Sequence, residues 1–184
     1  MIVSTNYADL AEEYTDNWSY SFLQDSPVLT DICNKILDGS RKYQYIIAAR
    51  PLNIPWQIIA AIHYRECGLD FSKCLHNGDP LPGPTTHVPI GRGPFSGWVD
   101  AATDAMRWNN FNSSVPWSVP RMLYKLEMFN GMGYRLKHGI YSPYLYSGTN
   151  FYTCGKYSSD GVFDPMLVDQ QIGCIPLLKK LLSY

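Results

Sequence analysis

The segment Ile54–Cys67, Ile-Pro-Trp-Gln-Ile-Ile-Ala-Ala-Ile-His-Tyr-Arg-Glu-Cys, constrains this chain more than any other. Proline is tolerated in the first turn of a helix, and nothing after Pro55 interrupts one until Gly68, a residue suited to the left-handed backbone that closes helices. Apart from Gln57, its first two turns are apolar on every side. A surface helix with one wet face is therefore excluded, and the rest of the chain must wrap around this one. The segment is also too short to cross a bilayer, which takes about 20 apolar residues. A length of 184 residues suits one domain, and a single domain over 1–184 is expected.

Apolar residues at three- and four-residue steps mark further helices. Pro27 to Arg50 carries Leu29, Ile32, Cys33, Ile36 and Leu37 and then Tyr43, Ile46 and Ile47, with Ser26 as cap and Gly39-Ser40 as a break. Ser96–Trp108 and Trp117–Phe129 follow, the second ended by Asn130-Gly131. A last helix is expected over Pro165–Leu182, kinked at Pro176. Asp70–Gly93 has no helical period and reads as a loop holding a β-hairpin, with its turn at Asn77-Gly78 and a short strand at His87–Ile90. Tyr134–Gly161 reads as a long aromatic loop, of the kind that usually carries function. The fold class expected is mostly α (α+β), with one small β-hairpin.

A net charge of -1 excludes electrostatic binding of nucleic acid. The aromatic share of 14 %, with 14 tyrosines among 184 residues, suits either a filled core or a surface that stacks on uncharged rings. Met1–Tyr20 holds Asp9, Glu12, Glu13 and Asp16 without Lys or Arg, so no secretory signal is read there. Synthesis in the cytoplasm, no membrane insertion and a monomeric state are expected. The five cysteines lack metal-ligand spacing and are expected as free thiols, with a Cys67–Cys74 bridge as the alternative. No cofactor is indicated. His76 and His87 lack a third partner at convincing spacing, so no metal is expected.

Glu66 is the leading chemical candidate. At the end of a buried helix its carboxyl would meet desolvation and the partial negative charge of the helix terminus, and both raise its pKa toward what a general acid needs. The alternative is a Glu paired with Arg65 or Arg50, or one turned to solvent. Glu127, on an interior-facing stripe with Leu123 and Tyr124, is a rival acid or a core hydrogen-bonding group. Cys67, near His63 and His76, raises the weaker idea of a thiol peptidase, against which the helix terminus disfavours a thiolate.

His63-Tyr64-Arg65-Glu66, Leu75-His76-Asn77-Gly78-Asp79-Pro80-Leu81 and Asn130-Gly131-Met132-Gly133-Tyr134-Arg135 together resemble the lysozyme superfamily. The nearest likeness is to goose-type lysozymes, soluble lytic transglycosylases and small phage or prophage muralytic proteins, over roughly 55–178. The chain departs from the transglycosylase pattern at Cys67 and Phe129 and lacks that family's Gly-Leu-Met-Gln segment.

The resemblance implies a lysozyme-like helical domain that cuts peptidoglycan glycan strands, with Glu66 protonating the oxygen between N-acetylmuramic acid and N-acetylglucosamine. Asp79 would be the second carboxylate. Held about 6.5–9.5 Å from Glu66 it would admit a water and give inversion. Without it, the sugar's own 6-hydroxyl would attack and leave an anhydro product. A pure turn role is the alternative for Asp79. Asn130 would hold a sugar, with a helix C-cap as its alternative role; Tyr134, Tyr144 and Tyr146 would line the groove, with burial as the alternative for each; and His63 would either contact the site or pack. Lack of a signal fits a phage endolysin released through a pore, or a virion hydrolase, acting on the cell wall. A chitinase-like glycosidase and a non-enzymatic carbohydrate-binding or virion protein are the competing readings.

Overall fold

A computed structural model describes residues 1–23 and 26–184, and several of its helices start and stop at the residues that punctuate the sequence. In chain order they are α1 (Tyr7–Tyr20), α2 (Pro27–Leu37), α3 (Gly39–Ala49), α4 (Trp56–Cys67), α5 (Trp98–Trp108), α6 (Val119–Asn130), the single turn α7 (Pro143–Tyr146) and α8 (Cys174–Leu181). A two-stranded antiparallel sheet, β1 (Lys156–Ser159) and β2 (Val162–Asp164), lies between α7 and α8 in sequence. The mostly α class with one small hairpin holds. The chain divides into two compact units, Asp31–Trp117 and the pair of segments Met1–Thr30 with Ser118–Tyr184.

In the unit Asp31–Trp117, α3 packs against both α4 and α5. Asp38 breaks the long helical stretch at the expected place, because its side chain caps α3 by accepting from the Ser40 backbone N–H at 3.2 Å. Ile58, Ile59, Ala60, Ala61, Ile62 and His63 of α4 are all buried, as the apolar segment demanded. Gly68, at φ 59, takes the left-handed conformation and returns its N–H to the carbonyls of His63 and Tyr64, which closes the helix.

The other unit is built on α6, which packs along α1 and also touches α7 and α8. Leu10 and Tyr14 of α1 and Met122, Leu123 and Leu126 of α6 are buried. Helix α1 is not marked in the sequence, since its buried positions Leu10, Tyr14 and Asn17 include a single aliphatic residue.

Two expectations are corrected. No named strand occupies Asp70–Gly93, where only isolated bridges Lys73↔Pro80 and Gly83↔Phe95 form. Prolines 80, 82, 84 and 89 remove the N–H donors that a ladder there would need. The regular hairpin instead lies within and just beyond the segment read as an aromatic loop, turning at Asp160-Gly161 with Gly161 at φ 74 and pairing Tyr157 with Phe163. The last helix is also shorter than expected. Pro165 to Ile172 is irregular, and Pro176 causes no kink because it falls in the first turn of α8, where its missing N–H costs nothing.

Candidate functional site

Burial along α4 stops one turn short of Glu66. His63 is fully buried, Tyr64 and Arg65 are half-buried, and Glu66 is exposed on the last turn. The desolvation expected from an apolar helix therefore ends before the carboxyl it was to act on, while the helix terminus beside it remains. The next residue is the one that feels burial. The Cys67 thiol is pushed up to about 12, mainly by burial and then by the Glu66 charge, so it is a protonated thiol at neutral pH. It points at the Cys74 carbonyl oxygen at 3.5 Å, and both cysteines are free.

Asp79 is consumed by its own loop. One carboxylate oxygen accepts from the backbone N–H groups of Thr86 at 2.6 Å and His87 at 2.9 Å; the other accepts from the Thr86 hydroxyl at 3.1 Å and pairs with His87 Nδ1 at 2.5 Å. The His87 bonds, followed by those of Thr86, hold this carboxyl well below the usual carboxylate range. An anion so well satisfied is a weak base with no lone pair directed elsewhere, so the geometry gives Asp79 the turn role rather than that of a water-activating partner. A second anchor ties the same loop down. Asp104 of α5 accepts from Arg92 Nε and Nη2 at 2.8 and 2.5 Å and pairs with the buried His76 at 2.9 Å.

His63 is packed rather than presented. Its Nδ1 shares a hydrogen bond of 2.9 Å with the Tyr45 hydroxyl, and its ring lies against Phe71 at 4.6 Å and Trp98 at 4.7 Å. Burial pulls its pKa down to about 4, which keeps the imidazole neutral inside this aromatic cage. A direct sugar contact by His63 is not compatible with its zero exposure.

In the other unit, Asn130 ends α6, and Gly131 at φ 90 turns the chain away from it. The Asn130 amide donates to the Ser142 hydroxyl at 3.3 Å and remains exposed. With Tyr134, Lys137, Tyr157, Ser159 and Asp160 it lines a cavity of about 430 Å³ beside the hairpin. The Tyr134 hydroxyl accepts from the Tyr157 backbone N–H at 3.2 Å, the two rings meeting edge to face at 5.1 Å. His138 stacks on Phe163 at 3.7 Å and bonds the Tyr157 hydroxyl at 2.8 Å, so the aromatic wall is held from behind. Fixed rings beside an amide, a hydroxyl and charges of both signs are the groups that recognise a pyranose with polar substituents.

Two of the expected groove residues are not in it. Tyr146 has no exposed surface, with its hydroxyl accepting from Asn17 at 2.9 Å and its ring packed on Tyr141 and Phe151. Tyr144 is 4 % exposed within the same core. The short helix α7 buries its whole Pro-Tyr-Leu-Tyr sequence, leaving neither ring a face for a sugar. Glu127 is buried too, and is bonded to Arg135 and Tyr14 rather than open to a ligand. Sequence reasoning missed Lys137, Ser159 and Asp160. The signal for the last two was the Asp160-Gly161 turn, which brings strand residues to the cavity wall.

Among the described residues no group of three or more His, Cys, Asp or Glu side chains is placed to hold a metal ion, and no helix is long and apolar enough to cross a membrane. No protein-family model, curated protein or solved structure matches the chain.

Proposed function

We propose that this protein cleaves the glycan strand of peptidoglycan between N-acetylmuramic acid and N-acetylglucosamine, with Glu66 as its acid, by lytic transglycosylation. One observation carries the choice of reaction. Glu66 is exposed at the end of the buried helix, whereas Asp79, the carboxylate that hydrolysis would enlist, is committed to four hydrogen bonds in its loop. The likeness of the Glu66 and Asn130 segments to muralytic enzymes supports the substrate class.

A single carboxyl can serve both halves of such a reaction. Glu66 gives its proton to the bridging oxygen as the bond to C1 of the muramoyl residue breaks. The 6-hydroxyl of that residue then attacks C1 and returns a proton to Glu66, closing a 1,6-anhydro ring. No water is consumed and the acid is regenerated. An exposed carboxyl is open to a polymer arriving from solvent, and the bound polymer displaces the water around it. In the other unit, the cavity beside the hairpin is a separate hold for an N-acetylated sugar, through Asn130 and the Tyr134–Tyr157 wall.

The test is digestion of purified peptidoglycan by the parent protein and by Glu66→Gln, followed by mass spectrometry of the muropeptides. The expected product is lighter by one water than a hydrolytic muropeptide, and the variant releases none. Reducing-end products only would replace transglycosylation with hydrolysis. Cleavage confined to peptide bonds, or undiminished release by Glu66→Gln, would remove the glycosidase reading.

A further inference from the structure

A second cavity, of about 580 Å³, opens within the unit Asp31–Trp117 and involves none of the groups discussed so far as sugar contacts. Lys35 of α2, Arg41 of α3, Tyr64 of α4 and the loop residues Asp70, Phe71 and Ser72 line it. Two features make it a built site. Its aromatic floor is anchored from the core side, since Phe71 packs edge-on against His63 at 4.6 Å and Trp98 at 4.7 Å while remaining half-buried toward the opening. Its loop wall is fixed as well, because the Asp70 carboxylate accepts from the Ser72 backbone and hydroxyl at 2.9 and 2.6 Å and lies 3.7 Å from Lys73.

The charge balance indicates what would fit. Asp70 is already satisfied by Ser72 and Lys73. Arg41 stands over the Phe71 ring at 5.7 Å, and neither it nor Lys35 forms an ion pair among the described residues. A guanidinium with its donors unspent, next to an ammonium and above an aromatic floor, matches a carboxylate carried on a short apolar stem. Tyr64 lines the cavity from α4, and at about 100° per residue helical geometry turns Glu66, two residues on, toward the far side. A ligand in this cavity is therefore not the sugar undergoing cleavage.

We propose that the cavity between Lys35, Arg41 and Phe71 is an accessory wall-binding site that takes a carboxylate borne by peptidoglycan, on the muramic lactyl group or on its acidic peptide. This rests on the peptidoglycan reading above. It gives the protein a second hold on its polymer.

The test uses the full chain, labelled for backbone amide NMR, titrated with N-acetylmuramic acid, with L-alanyl-D-glutamate and with N-acetylglucosamine as the neutral control. One or both acids should shift the amides of Gly68–Ser72, and the acid that does so identifies the source. Lys35→Gln with Arg41→Gln should weaken that binding about tenfold, the loss of one charge-assisted hydrogen bond. The same variant should be retained less by insoluble cell walls while cleaving short soluble glycan chains at the parent rate. Both changes are at the cavity rim, and an unchanged amide spectrum elsewhere verifies the fold. The proposal is overturned if neither acid shifts these amides more than the neutral sugar, or if the double variant binds as the parent does. Loss of the glycosidase reading is seen separately, in the Glu66→Gln digestion, and leaves the carboxylate titration unaffected.

Discussion

Replacing Arg135 with methionine should cost this protein more stability than any other single change considered. The guanidinium has no exposed surface. Its Nε and Nη2 donate to the two oxygens of Glu127 at 3.2 and 2.9 Å, and its Nη1 donates to Glu13 at 2.5 Å and to the Ile2 carbonyl at 2.7 Å. Glu127 is itself buried and has one further partner, the Tyr14 hydroxyl. Arg135→Met keeps the apolar stem of the side chain but removes the guanidinium, which leaves the Glu127 carboxylate without its balancing charge in the core. Breaking one side of a buried pair costs about 3–5 kcal/mol. At about 2–4 °C per kcal/mol for a chain of this size, the melting temperature followed by circular dichroism should fall by about 6–20 °C. Arg135→Met combined with Glu127→Leu removes the stranded charge and should recover more than half of the loss. A single variant melting within about 2 °C of the parent, or a double variant no better than the single, would refute the account of Glu127 as a structural anion.

Two further outcomes follow from the buried and loop-bound groups. Asp79→Asn should lower stability at pH 7 while changing glycan cleavage far less than Glu66→Gln does. Because the folded carboxyl is held below its unfolded value of about 3.9, its contribution is complete above that value and declines as pH falls below it, so parent and variant urea midpoints should converge in acid. His63, depressed to about 4 against an unfolded value of about 6.5, works in a different window. The unfolded chain binds the extra proton as pH drops through 6.5, which should cost about 2 kcal/mol between pH 7 and pH 5. A His63→Gln variant should lose that slope in urea titrations, and a parent midpoint flat over the same interval would contradict the buried neutral imidazole.

The helices were legible where local chemistry and burial agree. Apolar periodicity, the break before Gly39 and the closing glycines at 68 and 131 are written in neighbouring residues, and α3, α4, α5 and α6 begin and end within a few residues of those marks. Helix α1 was not legible because its packed face includes Tyr14 and Asn17, whose burial depends on partners more than a hundred residues away, Glu127 and Tyr146. The hairpin was misplaced because Asn77-Gly78 and Asp160-Gly161 carry the same turn signal; the prolines around the first decide between them by withholding ladder donors. Tyr144 and Tyr146 illustrate a different limit. An aromatic ring fills a core as readily as it stacks on a sugar, and only the tertiary surroundings of α7 separate the two.

The segment Asn130-Gly131-Met132-Gly133-Tyr134-Arg135 shows how fold and site share one stretch of chain. Gly131 supplies the positive φ that ends α6, Met132 is buried, and Arg135 anchors two acidic groups from α1 and α6 in the core. Asn130, Gly131, Gly133 and Tyr134 line the cavity, and of these only Asn130 and Tyr134 bring side chains to it. The same division separates the acidic candidates. Glu127 and Asp79 each accept from several donors, so moving a proton through either would cost the structure the bonds that place it. Glu66 differs from both in being exposed, at the end of a buried helix. Access for a polymer arriving from solvent, more than proximity in sequence, is the ground on which the acid we propose is Glu66 rather than either of them.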